Sequence, residues 1–173
     1  AARLHEAGAF GLRVPRVEVD FGAVLARVRD VIARVEPHDS VARYTALGVE
    51  CVAGRAVIRS PWSVEVEGRT IVTRAIVVAT GGEPARPPIP GLDATPHLTS
   101  DDVWELPALP ARLVVLGAGA VGCELAQAFR RLGSEVTLVE AEPRVLPRED
   151  IDVGTALAAQ LQADGIELLC GAR

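Results

Sequence analysis

Three glycines and one acid are the residues of this 173-residue chain whose types and spacing could do chemistry. Gly117, Gly119 and Gly122 follow the apolar run Leu113-Val-Val-Leu116 and open a helical pattern through Leu125, Ala128, Phe129 and Leu132. Glu140 closes the next apolar run, 21 positions beyond Gly119. A lone G-x-G-x-x-G means little in a glycine-rich chain, but strand, turn, helix and distal acid in this order form a dinucleotide-binding pattern. Gly117 would permit the tight turn and Gly119 would let backbone approach a pyrophosphate. Gly122 would let helix and strand pack closely, so that the phosphates meet the unsatisfied N–H groups of the helix. The competing reading is a glycine-rich β-α turn that binds nothing.

Glu140 would choose between coenzymes. A carboxylate there can accept hydrogen bonds from both ribose hydroxyls, each on the order of 1.5 to 3 kcal/mol. A 2′-phosphate would meet a like charge instead, at ~4 kcal/mol for two unit charges 4 Å apart in an effective dielectric of 20, less where water screens them. NAD is therefore expected over NADP. Against this stand a solvated loop acid at 140 and Arg144, which would reverse the preference by swinging toward the ribose. Glu124 lies in the first turn of the helix, where the dipole favours an acid whatever its function, and Cys123 beside it reads as core packing.

Other chemistries are poorly supplied. All 18 basic residues are Arg, and Lys, Met and Asn are absent, so Schiff-base chemistry, a phosphate-loop lysine and a lysine base are excluded. Cys51, Cys123 and Cys170 are odd in number and far apart, matching neither a zinc site nor a redox pair, and are expected to be small buried hydrophobes. His5, His38 and His97 read as solvated. Hydrophobic residues at 49% and charged residues at 24% exclude disorder. A formal net charge of −5 leaves no footprint for nucleic acid or an anionic membrane. No apolar run approaches the roughly 20 residues of a spanning helix, and no signal peptide opens the chain. The expectation is a cytoplasmic protein with neither nucleic-acid nor membrane partners.

The elements that must position these residues fall into two units. Asp20 caps a helix whose apolar positions run from Phe21 to Val35, stopped by Pro37. A short helix is expected over Ser40–Leu47, ended by Gly48. Short strands are expected at Val49–Val52, Ala56–Ile58, Val64–Val66 and Thr70–Val72, the last two joined by a hairpin at Glu67-Gly68. Ala75–Ala79 reads as a strand buried on both faces of a parallel sheet. Five prolines between Pro84 and Pro96 mark a connector that reaches Pro110, with one capped turn over Ser100–Leu106. Beyond it, strands Leu113–Leu116, Glu135–Val139 and Ile166–Cys170 alternate with helices ending at Gly133 and covering Val153–Ala163. The fold class is α/β, with β-α-β-α-β in the second unit.

The run from Leu113 to Glu140 closely resembles the pyridine-nucleotide domain of the class I flavoprotein disulfide reductases, the family of dihydrolipoamide dehydrogenase, mercuric reductase and glutathione reductase. Ala75-Ile-Val-Val-Ala-Thr-Gly-Gly-Glu-Pro84 resembles that family's A-T-G segment, and Gly54-Arg-Ala56 is similar to its strand near the FAD adenine. The resemblance implies parts of two Rossmann-like domains: a partial FAD-binding domain over 1–92 carrying an antiparallel β-meander, a connector over 93–110, and the first half of an NAD-binding domain over 111–173. It implies FAD beside Thr80 and Gly81 with its adenosine near Gly54 and Ala56, and NAD on Gly117, Gly119, Gly122 and Glu140. Glu124 matches a glutamate that pairs with a flavin-side lysine near the nicotinamide, and Ala120 stands where some members carry a bulkier residue. NADP-using members place arginine at the positions of Glu140 and Leu146, so this chain sides with the NAD users. Glu-Leu-Ala-Gln-Ala-Phe129 resembles the mercuric-reductase branch, which leaves the substrate class open.

The family's first FAD motif, its C-x4-C disulfide and lysine, its second FAD motif and its dimerisation domain with catalytic His and Glu have no counterpart here. The chain is therefore expected to be an internal piece, inactive alone and without FAD, of a homodimeric oxidoreductase. That enzyme would pass a hydride from NADH to FAD and electrons on to a small-molecule or protein disulfide, a dithiol or a metal. A non-catalytic NAD-binding module is the alternative, and a single-Rossmann dehydrogenase is disfavoured by the proline-rich stretch before Gly117. Because the family pairs the Ala75–Ala79 strand with an N-terminal strand lacking here, its backbone groups are also expected to be unpaired, making the chain marginally stable or prone to aggregation.

Overall fold

Asp20 starts the first long helix, α1 (Phe21–Val35): its Oδ1 accepts from the Ala23 N–H at 2.9 Å. The structure, a computed structural model, describes residues 7–13 and 18–172. The chain divides into two compact units, one of Ala1–Leu25 with Pro96–Arg173 and the other of Ala26–Thr95.

In the unit of residues 26–95, α1 passes into a 3-10 turn at Glu36–Asp39, where proline removes an amide donor. Helix α2 (Val41–Ala46) is capped by Ser40, whose Oγ accepts from the Arg43 N–H at 3.2 Å. Gly48, at φ +86°, ends it with the Gly48 N–H on the Thr45 carbonyl and the Val49 N–H on the Tyr44 carbonyl, the paired bonds of a Schellman motif. Val49 thus donates back to the helix, and Val49–Val52, expected as a strand, forms none. Three strands do form an antiparallel meander in the order β1 (Ala56–Ser60), β2 (Ser63–Val66), β3 (Arg69–Val72). Glu67 and Gly68 both have positive φ, +47° and +78°, which suits the twist of a two-residue hairpin. The ion pair Arg69–Glu50 ties exposed chain to the meander and Arg59–Glu65 joins its first two strands; both hold the carboxyls below their ordinary range, through hydrogen bonds to the guanidinium first and its charge second.

Ala75–Ala79, expected as a buried central strand, belongs to neither sheet. Val77 is 89% and Val78 65% exposed. An apolar run of this kind is a strand only when a neighbour accepts its ladder bonds, and β1–β2–β3 is complete without it. The absence of ladder bonds here agrees with the expectation of unpaired backbone except at Ala75, whose N–H and carbonyl both bond the Thr73 hydroxyl at 3.4 and 3.0 Å, whereas the expected buried strand does not form.

The unit containing residues 96–173 holds the parallel sheet β4 (Arg112–Leu116), β5 (Glu135–Glu140), β6 (Glu167–Cys170), in that order. Thr99 and Asp102 bracket the turn before it, with the Thr99 Oγ1 donating to Asp102 Oδ2 at 2.8 Å, and Val103–Glu105 makes the expected single turn as a 3-10 helix. Helices α3 (Ala120–Leu132) and α4 (Ile151–Ala163) supply Cys123, Ala126, Phe129 and Leu161 to a core with Val136, Leu138, Val145 and Ile166. Phe21 and Leu25 of α1 join this core, the rings of Phe21 and Phe129 lying 6.1 Å apart. The opposite face of the sheet carries Val114, Leu116 and Leu169, all exposed. At the far end of α3, Asp164 accepts from Gln127 and Arg131 at 2.7 and 3.0 Å while Arg130 reaches its carbonyl at 2.9 Å, pinning α3 to the end of α4.

The exposed apolar run sets a solution property. Val77→Thr combined with Val78→Thr is expected to suppress concentration-dependent self-association, read by multi-angle light scattering, and to leave the thermal midpoint unchanged because neither side chain is packed.

Candidate dinucleotide site

Gly117 follows β4 at φ +97°, and its N–H donates to the Val139 carbonyl at 2.8 Å, carrying the β4–β5 ladder one residue into the turn. A side chain at Gly122 would place its Cβ 2.0 Å from the Gly117 carbonyl oxygen, so helix and turn touch backbone to backbone. A Cβ at Gly119 would meet nothing within 4 Å. Gly119 is also the N-cap of α3 and brings no side-chain acceptor to the first turn. The result is a bare helix N-terminus beside open space, the arrangement a pyrophosphate requires.

Ala118, between the glycines, is fully buried and held at both ends of its residue. Its N–H donates to Glu140 Oε2 at 2.6 Å, and its carbonyl accepts from the Leu146 N–H at 2.8 Å and from the Cys123 thiol at 3.4 Å. Glu140 Oε1 accepts from the Glu142 N–H at 3.0 Å. Glu140 is half-buried, and an ionised carboxylate offers about four lone-pair positions, so two acceptor positions remain beyond these two bonds. The acid expected on sequence grounds to meet a ribose therefore also organises the turn before any ligand arrives.

Arg144 does not turn toward this acid. Its Nη1 donates to the Leu146 carbonyl at 2.7 Å and its Nη2 to the carbonyls of Pro147 and Glu149 at 2.8 and 2.7 Å. Leu146 itself has φ +47°, a conformation uncommon outside glycine. With Ala120, Cys123, Glu124, Gln127 and Leu157 it lines a cavity of about 210 Å³ beside α3. Glu124 is exposed at this rim and Ala120 begins the helix, so both stand next to the turn.

Cys123 is buried as expected; burial raises its thiol pKa, and the nearby Glu140, Cys170 and Glu124 raise it further. Cys51 and Cys170 are exposed, against the expectation of buried hydrophobes, because one lies in the uncovered segment after α2 and the other ends the edge strand β6. Thr80, Gly81, Gly54 and Ala56 are all exposed and present no enclosing surface for a flavin or its adenosine. Gly54 has a local reason to be glycine: at φ +145°, its Cβ would stand 2.6 Å from the Glu67 side chain. His38 is exposed and His97 half-buried, while His5 lies outside the described residues.

Sequence reasoning missed Ala118 and Gly154 and the backbone role of Leu146, and the swing of Arg144 toward the ribose that would have reversed the coenzyme preference is not what the structure has. Gly154 alone carried a signal, as a glycine inside a helix: its Cβ would stand 2.7 Å from the Val145 carbonyl oxygen, so α4 begins against the loop that Arg144 gathers.

The fold and the turn define a Rossmann-like β-α-β-α-β unit. The profile of the Pyridine nucleotide-disulphide oxidoreductase family matches residues 15–173, and the chain belongs to that family. It is 35% identical to the mercuric reductase of Bacillus cereus over 162 residues, covering 94% of this chain and 26% of that protein. It is 30% identical to the dihydrolipoyl dehydrogenase of Bacillus subtilis (strain 168) over 178 residues, covering 99% and 38%. Among solved structures, the Cu(II) complex of the HOCl-induced flavoprotein disulfide reductase RclA from Escherichia coli superposes with a TM-score of 0.72 at 28% identity, covering 98% of this chain and 38% of that one. The chain spans about a quarter to two fifths of the length of these relatives. Members of the family are oxidoreductases that work with FAD and NAD(P). No described helix is long and apolar enough to cross a membrane.

Two measurements test this geometry. Gly122→Ala is expected to cost roughly 1 to 3 kcal/mol in urea unfolding, since its Cβ collides with backbone, whereas Gly119→Ala should stay within about 0.5 kcal/mol of the parent. Thiol labelling at pH 8 should modify Cys51 and Cys170 and spare Cys123 until the chain unfolds.

Proposed function

We infer that residues 111–173 are the first half of an NAD-binding domain, that 93–110 connect it to a partial FAD-binding domain over 1–92, and that Gly117, Gly119, Gly122 and Glu140 hold the coenzyme. The observation that carries this reading is Glu140 itself, which braces the Ala118 N–H and keeps acceptor positions at the mouth of the turn. In this reading the amides at the start of α3 face the pyrophosphate and the open space at Gly119 admits it. The Glu140 carboxylate accepts from the ribose hydroxyls and repels a 2′-phosphate, while Ala120 and Glu124 stand toward the nicotinamide. NADH bound there would supply a hydride for transfer to a flavin.

The whole protein is read as a cytoplasmic, homodimeric, NAD-dependent flavoprotein that reduces a disulfide or metal substrate or oxidises a dithiol. This draws on family membership and on the likeness to mercuric reductase and dihydrolipoyl dehydrogenase. The FAD assignment to Thr80, Gly81, Gly54 and Ala56 rests on the resemblance alone, and the isolated chain is expected neither to retain FAD nor to turn over. A non-catalytic NAD-binding module is the second reading. An in-frame Cys-x4-Cys codon pattern upstream of Ala1 would favour the enzyme, and an extended frame lacking it would favour the module.

Calorimetric titration of the chain should show NADH binding at least about tenfold more tightly than NADPH, a difference of about 1.4 kcal/mol. Glu140→Ala should shrink that ratio toward one. NADPH binding as tightly as NADH to the parent chain would refute the assignment.

A further inference from the structure

We propose that Arg144 is a positioning residue for coenzyme affinity, acting through the Leu146 and Ala118 backbone without touching the dinucleotide; this rests on the reading of the Gly117–Gly122 turn as the coenzyme site. Three backbone carbonyls, those of Leu146, Pro147 and Glu149, converge on its guanidinium at 2.7, 2.8 and 2.7 Å. A guanidinium is suited to this because its donors diverge in a rigid fork and stay charged at any working pH. Among the three, Leu146 matters most to the site. It is held at φ +47°, which an L-side chain adopts only when its surroundings impose it, and its N–H reaches the Ala118 carbonyl at 2.8 Å.

The Leu146 residue is therefore grasped at both ends, its carbonyl by Arg144 and its amide by Ala118. Ala118 is grasped likewise, its carbonyl by Leu146 and its amide by Glu140. The chain of contacts Arg144, Leu146, Ala118, Glu140 links the loop after β5 to the turn through backbone hydrogen bonds. Gly154 adds a steric constraint, since a side chain there would bring its Cβ 3.0 Å from Arg144 Nη1. Without the guanidinium, the Pro147 and Glu149 carbonyls lose that donor, the Leu146 carbonyl keeps only the Glu149 N–H at 3.0 Å, and Leu146 relaxes to negative φ. Its amide then leaves Ala118, and the turn that places the first amides of α3 is braced on one side only. Because the guanidinium is taken up by carbonyls, Arg144 does not serve as a 2′-phosphate ligand, and its loss should weaken NADH and NADPH by the same factor.

The test compares NADH affinity, NADPH affinity and amide exchange in the parent chain, Arg144→Ala, Arg144→Lys and the control Asp164→Ala, which loosens the far end of α3. Arg144→Ala is expected to weaken NADH about tenfold or more, with Arg144→Lys intermediate. Added methylguanidinium should restore binding to Arg144→Ala and leave Asp164→Ala unimproved. In the absence of coenzyme, exchange at the Leu146 and Ala118 amides should speed about tenfold in Arg144→Ala while Val136 and Leu138 stay protected. Parental affinity and exchange in Arg144→Ala would overturn the proposal, as would a loss no larger than that of Asp164→Ala at the same drop in melting temperature. If Arg144→Ala fails to fold, Arg144→Lys decides on the same readouts. If the parent chain binds no NADH, the coenzyme reading falls, and exchange at Leu146 and Ala118 alone decides for or against Arg144.

Discussion

The hydrogen bond from the Ala118 N–H to the Glu140 carboxylate is the interaction on which the site depends. It joins the end of β5 to the turn after β4, and it does so with a charged acceptor, the class of hydrogen bond that is shorter and about twice as strong as a neutral one. Without it, Ala118 would be held through its carbonyl alone, by the Leu146 N–H and the Cys123 thiol, and the bare N-terminus of α3 would be less firmly directed. With it, the acid is already in place before any ligand arrives. Preorganisation of this kind lowers the ordering cost that binding otherwise carries.

The surrounding fold serves that constraint unevenly. One face of the parallel sheet is closed by α3 and α4 over Leu138, Phe129 and Leu161, which holds the turn from beneath. The other face presents Val114, Leu116 and Leu169 to solvent, and Ala75–Ala79 joins no strand ladder. The turn is therefore built on the packed side of the unit, where Gly122 meets Gly117 directly and Gly154 meets Val145. Both contacts require glycine for the same reason: backbone approaches backbone at a distance that excludes a Cβ.

Much of this was legible in the residues. The α1 cap at Asp20, the α2 stop at Gly48, the hairpin at Glu67-Gly68 and the alternation of β4, α3, β5, α4 and β6 all follow from local periodicity and punctuation. The turn glycines Gly117 and Gly122 were legible because each meets a distinct steric demand, a positive φ and a backbone contact that excludes a Cβ. Partnership was not. Val49–Val52 and Ala75–Ala79 have strand-like composition, but composition does not say whether a neighbouring strand exists, and Val49 donates to α2 instead. Leu146 at positive φ was invisible because nothing in a leucine announces it. The direction of Arg144 was invisible for a related reason: its partners are carbonyls, which every residue has. Cys51 and Cys170 were misplaced because cysteine is buried on average, and an average is silent about edges.

The central claim is that Glu140 braces the Ala118 amide and receives a ribose at the same time. Titrating the isotopically labelled chain with NADH, while following backbone amides and the Glu140 carboxyl carbon by nuclear magnetic resonance, tests it most directly. The account predicts large shifts at the Gly119, Ala120 and Val121 amides and at the Glu140 carboxyl, with the Ala118 amide still protected from exchange. Shifts confined to residues away from this turn, or an Ala118 amide released as ligand binds, would contradict it.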